Sequence, residues 1–243
     1  MKHTRETRWQ ASELKFLVTP DCAAALKAWA RHHLDPDPYA SPDMGDAYVI
    51  TSLYFDTPEF DVFHGHGSYG RAKYRVRRYG RADDVFLERK LRNSSIVAKR
   101  RTLVGIGELT HLESGTLDRE WDGYWFHRRL IARGVAPTCQ VSYLRTARVA
   151  ASDGELVRLT IDENLKALPV SGPSFNNLLP GEEVLNDRMI VEMKFRNAMP
   201  DLFCRAVEEF NLTPETVSKY KLAARHLNLV AADACRDQML AVA

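Results

Sequence analysis

Between Arg71 and Arg101 the chain carries twelve Lys/Arg and three Asp/Glu, a local charge of +9 in a protein of 243 residues whose total is +2. The remaining residues therefore sum to −7, so the positive charge is concentrated. Much of it is spaced by two: Arg71, Lys73, Arg75 and Arg77 alternate with Ala72, Tyr74, Val76 and Arg78. On a strand, that spacing places one set of side chains on one face. Like charges in a row repel one another unless an anion lies among them. Arg suits bidentate contact with phosphate oxygens, and Lys acts as a compact point charge. The row predicts a site for a highly charged anion, phosphate above all.

The same face recurs elsewhere. Lys15, Lys90, Lys99, Arg101, Arg145, Arg158 and Lys194 occupy equivalent positions in other alternating segments. Three acids each stand two residues before a base: Glu13/Lys15, Glu88/Lys90 and Glu192/Lys194. Carboxylates of this kind can hold a hard divalent cation while the bases hold phosphate oxygens. A sheet with one solvated face gives the same alternation. Solvated faces mix signs, however, whereas here bases outnumber acids on nearly every segment. His64-Gly-His66 also has metal-like spacing, but its glycine-rich setting reads as a loop. Trp121 and Trp125 fit helix packing, and Arg78, Arg81 and Arg89 are expected to face solvent.

Positioning these residues requires strands. Glu13–Val18, Tyr48–Phe55, Arg71–Tyr79, Val85–Leu91, Ile96–Val104, Thr138–Val149, Leu156–Ile161 and Met189–Phe195 read as strands, and Leu165–Ser174 as another interrupted by Pro169. Ser152-Asp-Gly154 reads as a hairpin turn. Helices are expected from Pro20 to about Leu34, Leu117–Arg133, Asp201–Phe210 and Glu215–Leu229, with a tail helix to about Leu240. The fold class is α+β: an antiparallel β-barrel tunnel of about eight strands with a charged lumen, its apolar outer face covered by helices. No repeat or linker divides the chain, so one domain is expected over 1–243, with a core at about 13–228 and a helical tail at 229–243.

Composition narrows the function classes. The hydrophobic fraction of 45% and charged fraction of 27% are ordinary for a globular protein. No apolar run reaches the ~20 residues of a membrane span, and Met1–Trp9 lacks a signal-peptide core, so a cytoplasmic location is expected. Cys22, Cys139, Cys204 and Cys235 form no CxxC pair and read as reduced thiols. A net charge of +2 does not favour general nucleic-acid binding.

Nine short motifs occur in order: Glu13-Leu-Lys-Phe16, Ser52-Leu-Tyr-Phe-Asp-Thr57, Lys73-Tyr-Arg-Val-Arg-Arg78, Phe86-Leu-Glu-Arg-Lys90, Lys99-Arg-Arg101, Ser142-Tyr-Leu-Arg145, Arg158-Leu-Thr-Ile-Asp162, Val191-Glu-Met-Lys194 and Ser218-Lys-Tyr220. Together they resemble the VTC domain, the polyphosphate polymerase branch of the CYTH-like triphosphate tunnel metalloenzymes. The resemblance implies transfer of the terminal phosphoryl group of ATP onto a polyphosphate chain, with a divalent cation, manganese or magnesium, as cofactor. It implies ATP and inorganic polyphosphate or triphosphate as partners, with no nucleic acid and no membrane segment. Carried onto this sequence, it assigns catalytic roles to Arg75, Arg77, Lys90, Arg145, Arg158 and Lys219. Glu13, Lys15, Lys73, Lys99, Arg101, Tyr143, Lys194 and Ser218 would contact substrate, and Glu192 and Glu88 would hold metal. Asp162 stands open between metal ligand and turn cap. The superfamily's opening motif has an acid where this chain has Ala11, which weakens a hydrolytic reading and fits one in which phosphate is the nucleophile. A triphosphatase and a non-catalytic polyphosphate-binding module are the competing readings.

Overall fold

The computed structural model describes residues 4–10, 12–40, 45–93, 96–152, 155–179 and 181–230. In chain order the elements are β1 (Thr4–Gln10), β2 (Ser12–Val18), α1 (Pro20–His33), β3 (Asp35–Pro36), β4 (Ala47–Asp56), α2 (Asp61–His64), β5 (Ala72–Tyr79), β6 (Asp84–Asn93) and β7 (Ile96–Gly105). They continue as α3 (Tyr124–Arg133), β8 (Ala136–Ser152), β9 (Glu155–Pro169), β10 (Glu182–Glu183), β11 (Met189–Phe195), α4 (Asp201–Glu209) and α5 (Lys219–His226).

All strands join one antiparallel sheet in the order β1-β7-β6-β5-β4-β8-β9-β11-β2, with β3 added to β8 and β10 to β9. The ladder is open, where a closed or nearly closed barrel of about eight strands was expected. Its two ends are nevertheless consecutive in the chain. β1 pairs with β7 and β2 with β11, and a single residue of sequence separates them. The sheet thus encloses a lumen without hydrogen bonds joining its edges.

Alternation sends apolar residues outward. Phe16, Leu159, Ile161, Val191 and Met193 pack against Leu26 of α1 and Phe203 of α4. Leu53, Tyr74, Val76, Leu87 and Val104 pack against Trp125, Phe126 and Leu130 of α3. The inner face is mixed where uniform charge was expected. Ile50, Val141, Leu165 and Ala167 line part of it and are covered by Val217, Tyr220, Ala223 and Ala224 of α5 and the segment before it. α5 is therefore a plug on the inner side of the sheet, and an apolar patch seats it there.

Asp56 fixes that plug. Its carboxylate accepts from the amides of Thr57, Val62 and Phe63, at the start of α2, and from the Tyr220 hydroxyl at 2.5 Å. The segment ahead of α5 is tied in turn to β2. Glu215 N–H donates to the Lys15 carbonyl (2.8 Å) and the Lys15 ammonium to the Val217 carbonyl (3.0 Å). These bonds keep residues 215–218 out of the helix, so α5 starts at Lys219 and not at Glu215.

Other boundaries moved for local reasons. β9 runs on through the expected break, with Asn164 at φ +51°, a conformation Asn tolerates. The register against β8 shifts there, between Ser142 and Leu144. Helix α3 begins at Tyr124, and a 3-10 helix fills Ile106–Glu113. Arg78 is buried, not solvated: it donates to the carbonyls of Ala82 (2.7 Å) and Arg81 (3.0 Å) and clamps the β5–β6 turn. The tail helix and turn residues 153–154 lie outside the described residues. Among the described residues no helix is long and apolar enough to cross a membrane. Cys22, Cys139 and Cys204 are unpaired thiols, and burial pushes Cys139 up to about 12.

Candidate active site

The lumen holds a cavity of about 130 Å³. Lys15 from β2, Lys73, Arg75 and Arg77 from β5, and Lys90 from β6 line it. Lys99 from β7, Arg145 from β8, Lys194 from β11 and Lys219 from α5 complete nine cations, against three carboxylates, Glu13, Glu88 and Glu192. Arg89 of β6, expected to face solvent, alternates to the outer face, where its guanidinium lies over the Trp125 ring. Tyr143, Ser218, Tyr54 and Tyr220 fill the gaps. Of the residues given roles by the resemblance, all but Arg101 and Arg158 line this cavity.

Those two have other partners. Arg158 donates to the Tyr48 hydroxyl and pairs with Asp37, both at 2.8 Å. Arg101 lies 3.6 Å from the centre of the Phe86 ring and only 3.9 Å from Glu88. Tyr79 touches both Tyr48 and Phe86. The two arginines thus sit at an aromatic end of the lumen, held by partners that the spacing of bases could not reveal.

The carboxylates form two separate ionic centres. Glu88, buried, accepts from Arg75 Nε (2.7 Å) and pairs with Lys99 (2.7 Å). Burial would raise its carboxyl, but Arg75, Arg77 and Lys99 hold it well below the usual range. These contacts make Glu88 the salt-bridge partner of Arg75 and Lys99. The second centre joins β2, β8, β9, β11 and α5. Arg145 grips Asp162 through Nε (2.6 Å) and Nη2 (2.7 Å). Lys219 lies 2.6 Å from Asp162 and 2.8 Å from Glu192. Lys194 and Lys15 approach Glu192 at 3.2 and 3.7 Å. Burial opposes ionisation of Asp162 and Glu192, yet the surrounding cations keep both carboxyls low. Asp162, left open in the sequence, is thereby placed as the anchor of Arg145 and Lys219. Its position two residues beyond Thr160 on one strand face was the only signal of this.

Glu13 completes the second centre. Lys15 lies 3.0 Å from it, Lys194 3.6 Å and Lys90 3.7 Å. Burial pushes its carboxyl up, but Lys194 and then Lys15 and Lys90 outweigh this and bring it down to about 2. Glu13 and Glu192 share Lys15 and Lys194, and each feels the other's charge. Among the described residues no three His, Cys, Asp or Glu converge as a ready-made cation cage. Two adjacent carboxylates fit a magnesium-type ion, which commonly takes one or two carboxylates and completes its shell with substrate phosphates and water.

Two lysines report the field of the lumen. Burial, then Lys15, Lys90 and Lys221, push Lys73 down to about 8. Burial, with Arg75 and Arg77 adding to it and Glu88 opposing, pushes Lys99 down to about 7. A bound polyanion favours their charged forms. At pH 8 to 9, tripolyphosphate binding is therefore expected to take up protons, and the uptake should vanish near pH 6. Calorimetry in buffers of different ionisation heat measures this; a heat independent of buffer at pH 8.5 contradicts it. In the empty protein the same two groups bind fewer protons folded than unfolded between pH 7 and 10. Their contribution thus makes stability rise with pH through that window.

The family model of the VTC domain matches residues 10–228. The chain belongs to the VTC domain family. Solved structures agree at the level of fold. The "putative adenylate cyclase" of Bacillus halodurans is 14% identical with a TM-score of 0.52, over 87% of this VTC chain and 95% of its own. The "putative adenylyl cyclase" of Hippeastrum, a protein with a dominant triphosphatase activity, is 15% identical with a TM-score of 0.51, over 88% and 95%. Both share the fold of this VTC domain. No curated protein matches it.

Proposed function

We propose that this VTC domain transfers the terminal phosphoryl group of ATP to the end of a polyphosphate chain within the lumen. The observation that carries the reading is the set of nine Lys/Arg around one cavity, against Glu13, Glu88 and Glu192 in its lining and Asp162 behind Arg145 and Lys219. Such an excess favours an anion of high charge density inside.

Phosphoryl transfer needs positioning and charge neutralisation more than covalent chemistry by the protein. Arg75 and Arg77, neighbours on one strand face, orient the triphosphate. Glu88 fixes the Arg75 fork, and Tyr143 and Ser52 fix that of Arg77, at 3.3 Å each. Lys15, Lys90, Lys99 and Lys194 neutralise charge along the lumen, and Lys219 reaches it from the plug. A divalent cation held by Glu192 with Glu13 would add neutralisation at the bridging phosphates. In the reaction an oxygen of the chain's terminal phosphate bonds to the γ-phosphorus. The bridging bond to the β-phosphate breaks, and ADP leaves with the electron pair.

Hydrolysis in the same lumen is the second reading, supported by the triphosphatase activity of the Hippeastrum protein. A carboxylate that serves as general base works best with a pKa near the working pH. The three lumen carboxyls are held far below that, Glu13 at about 2, which favours a phosphate acceptor over water. Incubation with ATP and manganese separates the two. Gel-resolved long polymer is expected; release of free phosphate without polymer supports hydrolysis, and binding without turnover supports a binding module.

A further inference from the structure

We propose that α5 carries an outer lane for phosphate chains longer than a triphosphate, leading from Lys73 at the cavity over Lys221 to Arg225. This rests on the tunnel reading above and extends it to substrate length.

The cations in and around the lumen are of two kinds. Most are held by carboxylates: Arg75 and Lys99 by Glu88, Arg145 by Asp162, and Lys219 by Asp162 and Glu192. Among the described residues Lys73, Lys221 and Arg225 have no carboxylate within ion-pair distance. These three are contiguous in their effects. Lys73 donates to Ser218 Oγ (3.2 Å), the residue just ahead of α5. The charge of Lys221 reaches Lys73, and that of Arg225 reaches Lys221.

Lys221 and Arg225 stand one turn apart, each 5.5 Å from the centre of the Phe63 ring. The ring is thus a shared contact of the two cationic side chains. The nearby carboxylate of Asp61 is already engaged by His66 (3.0 Å) and Thr57 (2.9 Å). Like charges four residues apart weaken a helix, and a passing polyanion turns that repulsion into attraction. Lys73, Arg75 and Arg77 alternate along β5, so a chain gripped at the two arginines meets Lys73 next and α5 beyond it. The competing view is that Lys221 and Arg225 only cover the apolar ring of Phe63.

The test compares tripolyphosphate with long-chain inorganic polyphosphate, both by calorimetry, on the wild type and on the double variant Lys221→Gln/Arg225→Gln. Long-chain affinity is expected to fall about tenfold at low salt, with a shallower salt dependence. Tripolyphosphate affinity should stay within about twofold, since only rim charges are lost. Lys221→Arg/Arg225→Lys, which keeps both charges, should restore long-chain binding. Equal loss for both ligands, or no loss for either, overturns the lane and leaves the tunnel reading standing. Wild type that binds neither ligand overturns the tunnel reading and the lane with it.

Discussion

Glu192→Gln should lower metal-dependent turnover of ATP by about 10²–10³-fold while the protein stays folded. The substitution keeps the shape of the side chain and removes one negative charge. Lys219 retains Asp162 at 2.6 Å, so the plug keeps an anchor. What is lost is the carboxylate facing Lys15, Lys194 and Lys219 and shared with Glu13 across two lysines. On the proposed reading, a cation held by Glu192 and Glu13 would lose one of its two protein ligands, and the lysines would no longer be drawn away from substrate. Metal-free binding of tripolyphosphate should accordingly stay as tight or become tighter, while the manganese concentration needed for half-maximal rate rises. This split between binding and rate is the signature of a metal-facing role, because a merely structural carboxylate would not produce it. Wild-type turnover with an unchanged manganese requirement would remove Glu192 from the mechanism.

Asp162→Ala should cost about 3–5 kcal/mol of folding stability, as does breaking one side of a buried ion pair. Asp162 is buried and neutralises two cations at once, Arg145 by a two-pronged contact and Lys219 by a single one. Its removal leaves Arg145 with Glu192 at 3.8 Å and forces that carboxylate to serve both. Urea unfolding monitored by fluorescence measures the loss. Arg101→Ala is the comparison: its guanidinium covers Phe86 and barely reaches Glu88, so a loss under about 1 kcal/mol is expected. Equal costs for the two variants would contradict the distinction between a buried anchor and a rim contact.

Much of the lumen was legible because strand alternation is a strictly local property. Lys73, Arg75 and Arg77 must share a face once β5 is extended, whatever surrounds it. The same holds for Glu13 with Lys15 and for Glu192 with Lys194. Arg101 and Arg158 have the right parity but lie where Phe86 and Tyr48 offer partners from other strands, which spacing along one segment does not reveal. Arg78 has the wrong parity, and solvent was the natural expectation. It is buried because the turn after β5 offers two carbonyl oxygens to its guanidinium. Position 88 shows a further gap. An acid two residues before a base looks the same at Glu88 and Glu192, yet Glu192 shares its ionic centre with Glu13 and Asp162, whereas Glu88 stands among cations.

From its sequence alone, this chain declares a set of basic strands with apolar reverse faces, an ordered series of short motifs and the family they resemble. Each of these depends on residue order along the backbone. The tertiary structure decided the rest: that the ladder stays open while its ends meet through the chain, that α5 enters the lumen on an apolar seat, and that Asp162 anchors Arg145 and Lys219. These depend on which residues from distant segments arrive within three ångströms of each other. Buried charges accept no arrangement in which they lack a partner, so the partners, chosen only on folding, set which of the predicted bases remain available to an anion.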